Sequence, residues 1–418
     1  MTATKGAELR SSYPPHWKEK AIRHWLESLD SRRVPLSAEE RASRSGDYPY
    51  FGASGVIDAV DDFLFDEPLV LVSEDGANLL LRSTPIAFTA SGRYWVNNHA
   101  HVLRPYAGSV DFWAHRIEIE DVAPLVSGSA QPKLTAQALM NLRLVAPESI
   151  EEQAAIAGYI ARETAQIDEL ISEQERLIAL LRERRSATIT QAVTQGLDRQ
   201  SPMREVDVPS LGAIPTHWTV TRVKNVGRAI IGLTYGPDDV VGNANDGTLV
   251  IRAGNIQRGQ IVFDDCVYVD CKIPDHLRLQ LGDVIVCARN GSAKLIGKNA
   301  SATSDVVGQT WGAFMAVLRS HHNDYLQWVL NSQIFAAEAG LFSTSTINQL
   351  TSATLHNMRF ALPPEAERRQ IVAYLKEQTA RIDHLTAEAE HLVALALERR
   401  AAVITAAVTG QIDVRRAG

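Results

Sequence analysis

The chain of 418 residues has few cysteines, few lysines and no long apolar run. Cys266, Cys271 and Cys287 lie in one stretch. A disulfide scaffold needs more cysteines, and a tetrahedral zinc site needs a fourth ligand at a suitable spacing. These three therefore read as buried or strand thiols. No run of about 18 apolar residues occurs, so no membrane span is expected. The opening MTATKGAELRSSYPPHW lacks an apolar signal core, and the expected location is cytoplasmic. An excess of positive charge is also missing, the net charge being −7. That argues against indiscriminate nucleic-acid binding, which rests on neutralising phosphates, but leaves room for local basic patches. The basic residues are 33 Arg and only 9 Lys. Arginine can grip phosphate or the guanine O6/N7 edge with two bonds, although a GC-rich genome would produce the same bias.

Catalytic motifs are missing too. Gly291 to Gly297-Lys298 resembles a phosphate-binding loop but has five residues between its glycines, and Asn299 follows the lysine. Asp270-Cys271-Lys272 has the spacing of a nuclease Asp-x-Lys without a convincing upstream carboxylate pair. No Asn/Asp-Pro-Pro-aromatic motif for amine methylation occurs. His99 and His101 have the look of metal ligands, but no third ligand is evident nearby. No catalytic residue, metal or cofactor is expected.

What the sequence has in quantity is repetition. Shifted by 215, Glu152 to Asp198 lies over Glu367 to Asp413 without a gap, with 23 identities in 47 positions. TAQIDEL at 164–170 falls on TARIDHL at 379–385. Upstream, LVLVSEDGANLL at 69–80 falls on VIVCARNGSAKL at 284–295, each a buried strand followed by a turn at Gly76 or Gly291. In that register Glu74-Asp75 corresponds to Arg289-Asn290. Tyr13-Pro14-Pro15-His16-Trp17 answers Ile214-Pro215-Thr216-His217-Trp218 as the opening of each half. The expected domains are a recognition module at 1–147, a first spacer helix at 148–199, a linker and second module at 200–363, and a second spacer helix at 364–418.

The duplicated segments have helical periodicity, with no Gly or Pro between Ala161 and Val193 or between Ile371 and Val408. Pro147 and Pro363 precede the starts, and Gly196 and Gly410 follow the ends. About 44 residues at 1.5 Å each make rods of roughly 65 Å. A rod with an apolar stripe needs a partner, and the obvious one is its own duplicate, packed antiparallel. The expected packing residues are Ile160, Ile167, Leu170, Leu177 and Leu181 in the first helix and Leu375, Ile382, Leu385, Leu392 and Leu395 in the second. The fold class is α+β: two mixed α/β modules separated by two long antiparallel, coiled-coil-like helices, in a tandem pseudo-twofold repeat.

Polar, Gly-punctuated loops beside strands supply the candidate binding residues. They are Asn78, Arg93, Asn97, Asn98, His99 and His101 in the first module. In the second they are Thr234, Tyr235, Arg252, Asn255, Arg258, Arg289, Asn290, Ser292 and Lys294.

The chain resembles the specificity subunits of type I restriction–modification systems. The resemblance rests on IPTHW at 214–218, IRAGNIQRGQI at 251–261, the exit LTSATLHNMRFALPPEAERRQI at 350–371, and both RR…AVT rods. YPYFGASGVIDAVDDFLFDE at 48–67 and WVNNHAHVL at 95–103 add to it. It implies a non-catalytic subunit whose modules each read half of a split, asymmetric double-stranded DNA site, with the helices setting the unread gap. The implied partners are two adenine methyltransferase subunits and the ATP-driven restriction subunits, which would use S-adenosylmethionine, ATP and Mg. The alternatives are a subunit of a methylation-only system, a nuclease or methyltransferase in its own right, and a coiled-coil scaffold that binds only proteins.

Overall fold

The structure is a computed structural model that describes residues 13–128, 131–292, 295–341 and 349–414. It divides into two compact units, one of residues 1–174 with 391–418 and one of residues 175–390. The division falls inside both long helices, Ile150–Gln195 and Glu365–Val408. Each unit thus owns half of each helix as well as one globular module.

The module frames are alike. In the first unit an antiparallel sheet is ordered Leu26–Ser28, Ala100–Pro105, Leu69–Ser73, Ala87–Ala90. In the second the order is Gly227–Ile231, Met315–Ser320, Val284–Cys287, Asn299–Ser301. The central strands, Leu69–Ser73 and Val284–Cys287, are buried along their whole length, which is why both read as continuous apolar runs. A second four-stranded sheet in each module contains one parallel pair, Tyr50–Phe51 beside Trp95–Val96 and Val250–Ile251 beside Thr310–Trp311. A short ribbon closes each module onto its helix, Lys18–Ala21 with Arg143–Ala146 and Thr219–Arg222 with Arg359–Leu362.

The module openings lock to the helices in the same way twice. The buried Trp17 indole donates to Glu152 at 3.1 Å, and His16 bonds the same carboxylate at 3.0 Å. In the other unit the buried Trp218 indole donates to Glu367 at 3.0 Å, with His217 at 2.8 Å. Gly410, with φ +71°, packs on Pro14 and Trp17, and Gly196, with φ +75°, packs on Trp218 and Glu367. These two glycines end the helices in the left-handed conformation that the sequence leads one to expect.

Within each unit the helix segments run antiparallel. In the second, Arg185 bonds Asp383 at 2.8 Å and Arg182 bonds Glu390 at 3.0 Å. In the first, Arg400 bonds Asp168 at 2.8 Å, the repeat-equivalent pair. The expected apolar seam is only partly used. Ile160, Ile167, Leu181, Leu375 and Ile382 are buried. Leu170, Leu177, Leu385, Leu392 and Leu395 are not: their exposures lie between 42% and 47%. Their places in the core go to Ile178 and to the small residues Thr164, Thr379, Ala389 and Ala396. Small side chains let backbones approach, and the larger leucines then fall on the rim.

Candidate nucleic-acid interface

Backbone hydrogen bonds bring equivalent loops together at one edge of each module's first sheet. Glu74 N–H donates to the His99 carbonyl at 2.9 Å, and Leu134 N–H donates to the Glu74 carbonyl at 2.8 Å. In the second unit Ala288 N–H donates to the Phe314 carbonyl at 2.9 Å, and Leu350 N–H donates to the Ala288 carbonyl at 2.7 Å. The antiparallel bridges Asp75 to Lys133 and Arg289 to Gln349 follow. The structural partner of Glu74 is therefore Ala288 and that of Asp75 is Arg289. This is one residue off the register set by the Gly76 and Gly291 turns, because the loops differ in length after the strand.

At these equivalent places the side chains differ. Asp75 bonds the Nδ1 of His99 at 2.8 Å, and the His99 side chain is 44% exposed. Arg289 is exposed and lies over the Phe314 ring, 5.3 Å from its centre. Phe314 itself is 61% exposed. Asn98 and Ser292 are exposed beside them, and the Asn290 side chain accepts from Ser292 N–H at 3.0 Å. Thr234 is exposed, and Tyr235 packs on the apolar cluster of its module.

Other sequence candidates are occupied by the fold. Asn97 is buried and accepts from His99 N–H at 2.8 Å. Asn78 closes its own loop through Ser83 and Thr84. Asn255 is buried, caps a turn through Arg252 N–H at 3.0 Å, and donates to the Asp264 carbonyl at 3.0 Å. Arg252 is held by Asp265 at 2.9 Å and Arg93 by Asp66 at 3.1 Å. Arg258 bonds Glu390 on the helix at 2.7 Å and lines a groove of about 720 Å³ with Arg182, Arg185 and Lys376. Lys294 lies outside the described residues.

His101 differs from the expectation that nothing would gather around it. It is buried, with Nδ1 bonded to Asp30 at 2.6 Å and Nε2 to the Leu134 carbonyl at 2.9 Å. Asp30, Glu74 and His101 lie close enough together to hold a metal ion. Two side-chain cations already face these carboxylates: Arg33 bonds Glu74 at 2.6 Å and approaches Asp30 at 3.3 Å, and Lys133 bonds Glu74 at 3.0 Å. The donor set fits an ion-pair network better than a metal site, because a cation would have to displace both. Burial pushes the Asp30 carboxyl up. The hydrogen bond and charge of His101, the Val102 N–H and Arg33 outweigh it and hold Asp30 below the usual range. Burial also raises Glu74, and Arg33, Lys133 and His101 hold it low. No sequence signal marks this cluster, whose members are spread from position 30 to 133.

Residues 14–178 match the type I restriction modification DNA specificity domain. That match covers the first module and the start of its long helix. It is 26% identical over 207 residues to the type I restriction enzyme StySPI specificity subunit of Salmonella potsdam, a match covering 48% of this chain and 44% of that one. It is 30% identical over 120 residues to a putative type I restriction enzyme specificity subunit of Haemophilus influenzae, covering 28% and 30%. The chain spans less than half the length of these relatives. A chain solved in a study of complex assembly and conformational transition of the type I R-M system shares the fold at a TM-score of 0.67 and 17% identity. That likeness covers 96% of this chain and 99% of that one, so the specificity-domain frame and the long helices belong to one architecture.

Proposed function

We propose that this chain is the DNA-specificity subunit of a type I restriction–modification complex. The observation that carries the proposal is the specificity-domain match over residues 14–178, together with the recurrence of the same strand order and helix lock in the second unit. Each module reads one half of a split, asymmetric site in double-stranded DNA. The domain boundaries proposed from sequence, 1–147, 148–199, 200–363 and 364–418, separate readers from spacer helices. A duplicated subunit offers two similar docking surfaces, which suits two copies of one methyltransferase. Restriction subunits join that assembly.

The chain contributes no chemistry. S-adenosylmethionine, ATP and Mg are used by the partner subunits. Base reading falls to Asn98 and His99 in the first module and to Thr234, Tyr235, Arg289, Asn290 and Ser292 in the second, with Lys294 retained from the sequence alone. Asn97 fixes the loop that carries His99, while Asn78, Arg93, His101, Arg252, Asn255 and Arg258 are engaged in structural contacts of their own.

The test is to map methylated adenines in the host genome with and without this gene. The expected result is loss of one bipartite motif in the deletion, whether or not a restriction subunit is present. If no modified motif disappears, the function is wrong.

A further inference from the structure

We infer that two structurally equivalent side-chain pairs, Asp75–His99 and Arg289–Phe314, determine the specificity of the two modules. The inference rests on the proposed DNA-reading function and goes on to name which side chains read. The backbone at the two places is built by the same three contacts: 74 to 99 and 288 to 314, 134 to 74 and 350 to 288, and the bridges 75–133 and 289–349. Where a frame is held constant, folding does not require the side chains on it to differ in sign. Yet one module has a carboxylate where the other has a guanidinium, and an imidazole where the other has a phenyl ring.

Unused bonding capacity separates His99 and Arg289 from the surrounding polar groups, since the exposed Arg93 and Arg258 are held by Asp66 and Glu390. A phenylalanine that is 61% exposed on a loop contributes little to its own core, and its known contact is the Arg289 guanidinium. Stacking on the ring leaves the edge of the guanidinium, with its N–H donors, available to a ligand. Among the described residues the Arg289 guanidinium makes no hydrogen bond, its backbone N–H alone donating to the Phe314 carbonyl. Two parallel donors match guanine O6 and N7 in the major groove, and an apolar ring beside them suits a thymine methyl. In the other module Asp75 accepts a hydrogen bond from Nδ1–H of His99, a tautomer that in the neutral imidazole places the lone pair on Nε2. Among the described residues Nε2 of His99 makes no hydrogen bond. That acceptor suits an exocyclic amino group, N6 of adenine or N4 of cytosine. The first half-site should then contain a base read by its amino group, and the second a guanine.

The experiment uses the full chain assembled with its methyltransferase, and methylation mapping of His99→Ala, Arg289→Ala, Arg289→Lys and Phe314→Ala. These side chains are exposed or partly exposed, so unfolding midpoints should match the parent. His99→Ala should relax one base pair of one half-site, by roughly tenfold to a hundredfold in relative methylation, and leave the other half-site intact. Arg289→Ala should relax one G·C pair of the opposite half-site. Arg289→Lys should relax it as well, because lysine keeps the charge but loses the paired donors. Unchanged half-sites in the variants, or a uniform loss over all sequences that Arg289→Lys restores, would overturn the inference and leave the function standing. A parent complex that methylates no bipartite motif would overturn the function itself.

Discussion

Replacing Arg33 by methionine tests whether the buried network of the first module holds its sheet together. Arg33 and Glu74 side chains are each 12% exposed, and Asp30 is 15% exposed. The guanidinium bonds the Glu74 carboxylate at 2.6 Å, the Ala100 carbonyl at 2.7 Å and the Asp30 carbonyl at 3.2 Å. Its loss leaves two nearly buried carboxylates with Lys133, His101 and the Val102 N–H as their remaining partners. Removing one partner of such a pair costs about 3–5 kcal/mol, and the residual exposure puts this case near 3. In amide hydrogen exchange, Leu69–Ser73 and Ala100–Pro105 should open roughly a hundredfold more often, since about 1.4 kcal/mol is a factor of ten. The second module shows how the cost can be removed: Ala288 and Ala316 stand at the positions of Glu74 and His101, and both are buried. Arg33→Met combined with Glu74→Ala should therefore cost clearly less than the two single changes added together. The sign with pH follows from the carboxylates. Both have values below those of the unfolded chain, so their contribution is complete above about pH 5 and is lost as pH falls through the depressed values. The gap between parent and Arg33→Met should narrow in acid. A single change with less than a threefold effect on exchange, additive costs, or a gap that widens in acid would refute the reasoning.

Two further outcomes follow from the duplication and the helix seam. Glu367→Ala strands the buried Trp218 indole N–H and Glu152→Ala strands that of Trp17, so each should cost about 1–3 kcal/mol, read as local exchange at its own module opening; one costly and one neutral change would break the equivalence of the two locks. Leu385→Ser and Leu392→Ser should leave the unfolding midpoint of the isolated chain within about 0.5 kcal/mol of the parent, while Leu375→Ala should cost about 2–5 kcal/mol, and an equal cost for all three would place the seam on the leucines.

Which features could be read from sequence follows from how far each one reaches along the chain. The helix ends are local: Gly196 and Gly410 need only their own φ, and both adopt the left-handed conformation. The seam is half legible. A search for large apolar residues at three-and-four spacing finds Ile160, Ile167, Leu375 and Ile382. It also takes in Leu385 and Leu392, because it gives no weight to alanine and threonine. The structure buries Thr164 and Thr379, whose hydroxyls bond the carbonyls of Ile160 and Leu375 one turn back, at 2.8 and 2.7 Å. These threonines are repeat-equivalent, so the duplication itself carried a signal that periodicity did not. The loops are the least legible part. Asn255 and Asn290 look alike in sequence, yet one is enclosed by the turn it caps and the other lies on an open loop. The difference depends on carbonyls several residues away, which composition does not encode. Aligning the two modules by their turn glycines pairs Asp75 with Asn290. Aligning them by backbone hydrogen bonds pairs Asp75 with Arg289. Both alignments set a carboxylate against Arg289, Glu74 in the first and Asp75 in the second. Glu74 is tied to Arg33 and Lys133, whereas Asp75 holds the partly exposed His99 on the shared frame, and that makes it the candidate for reading different bases in the two half-sites.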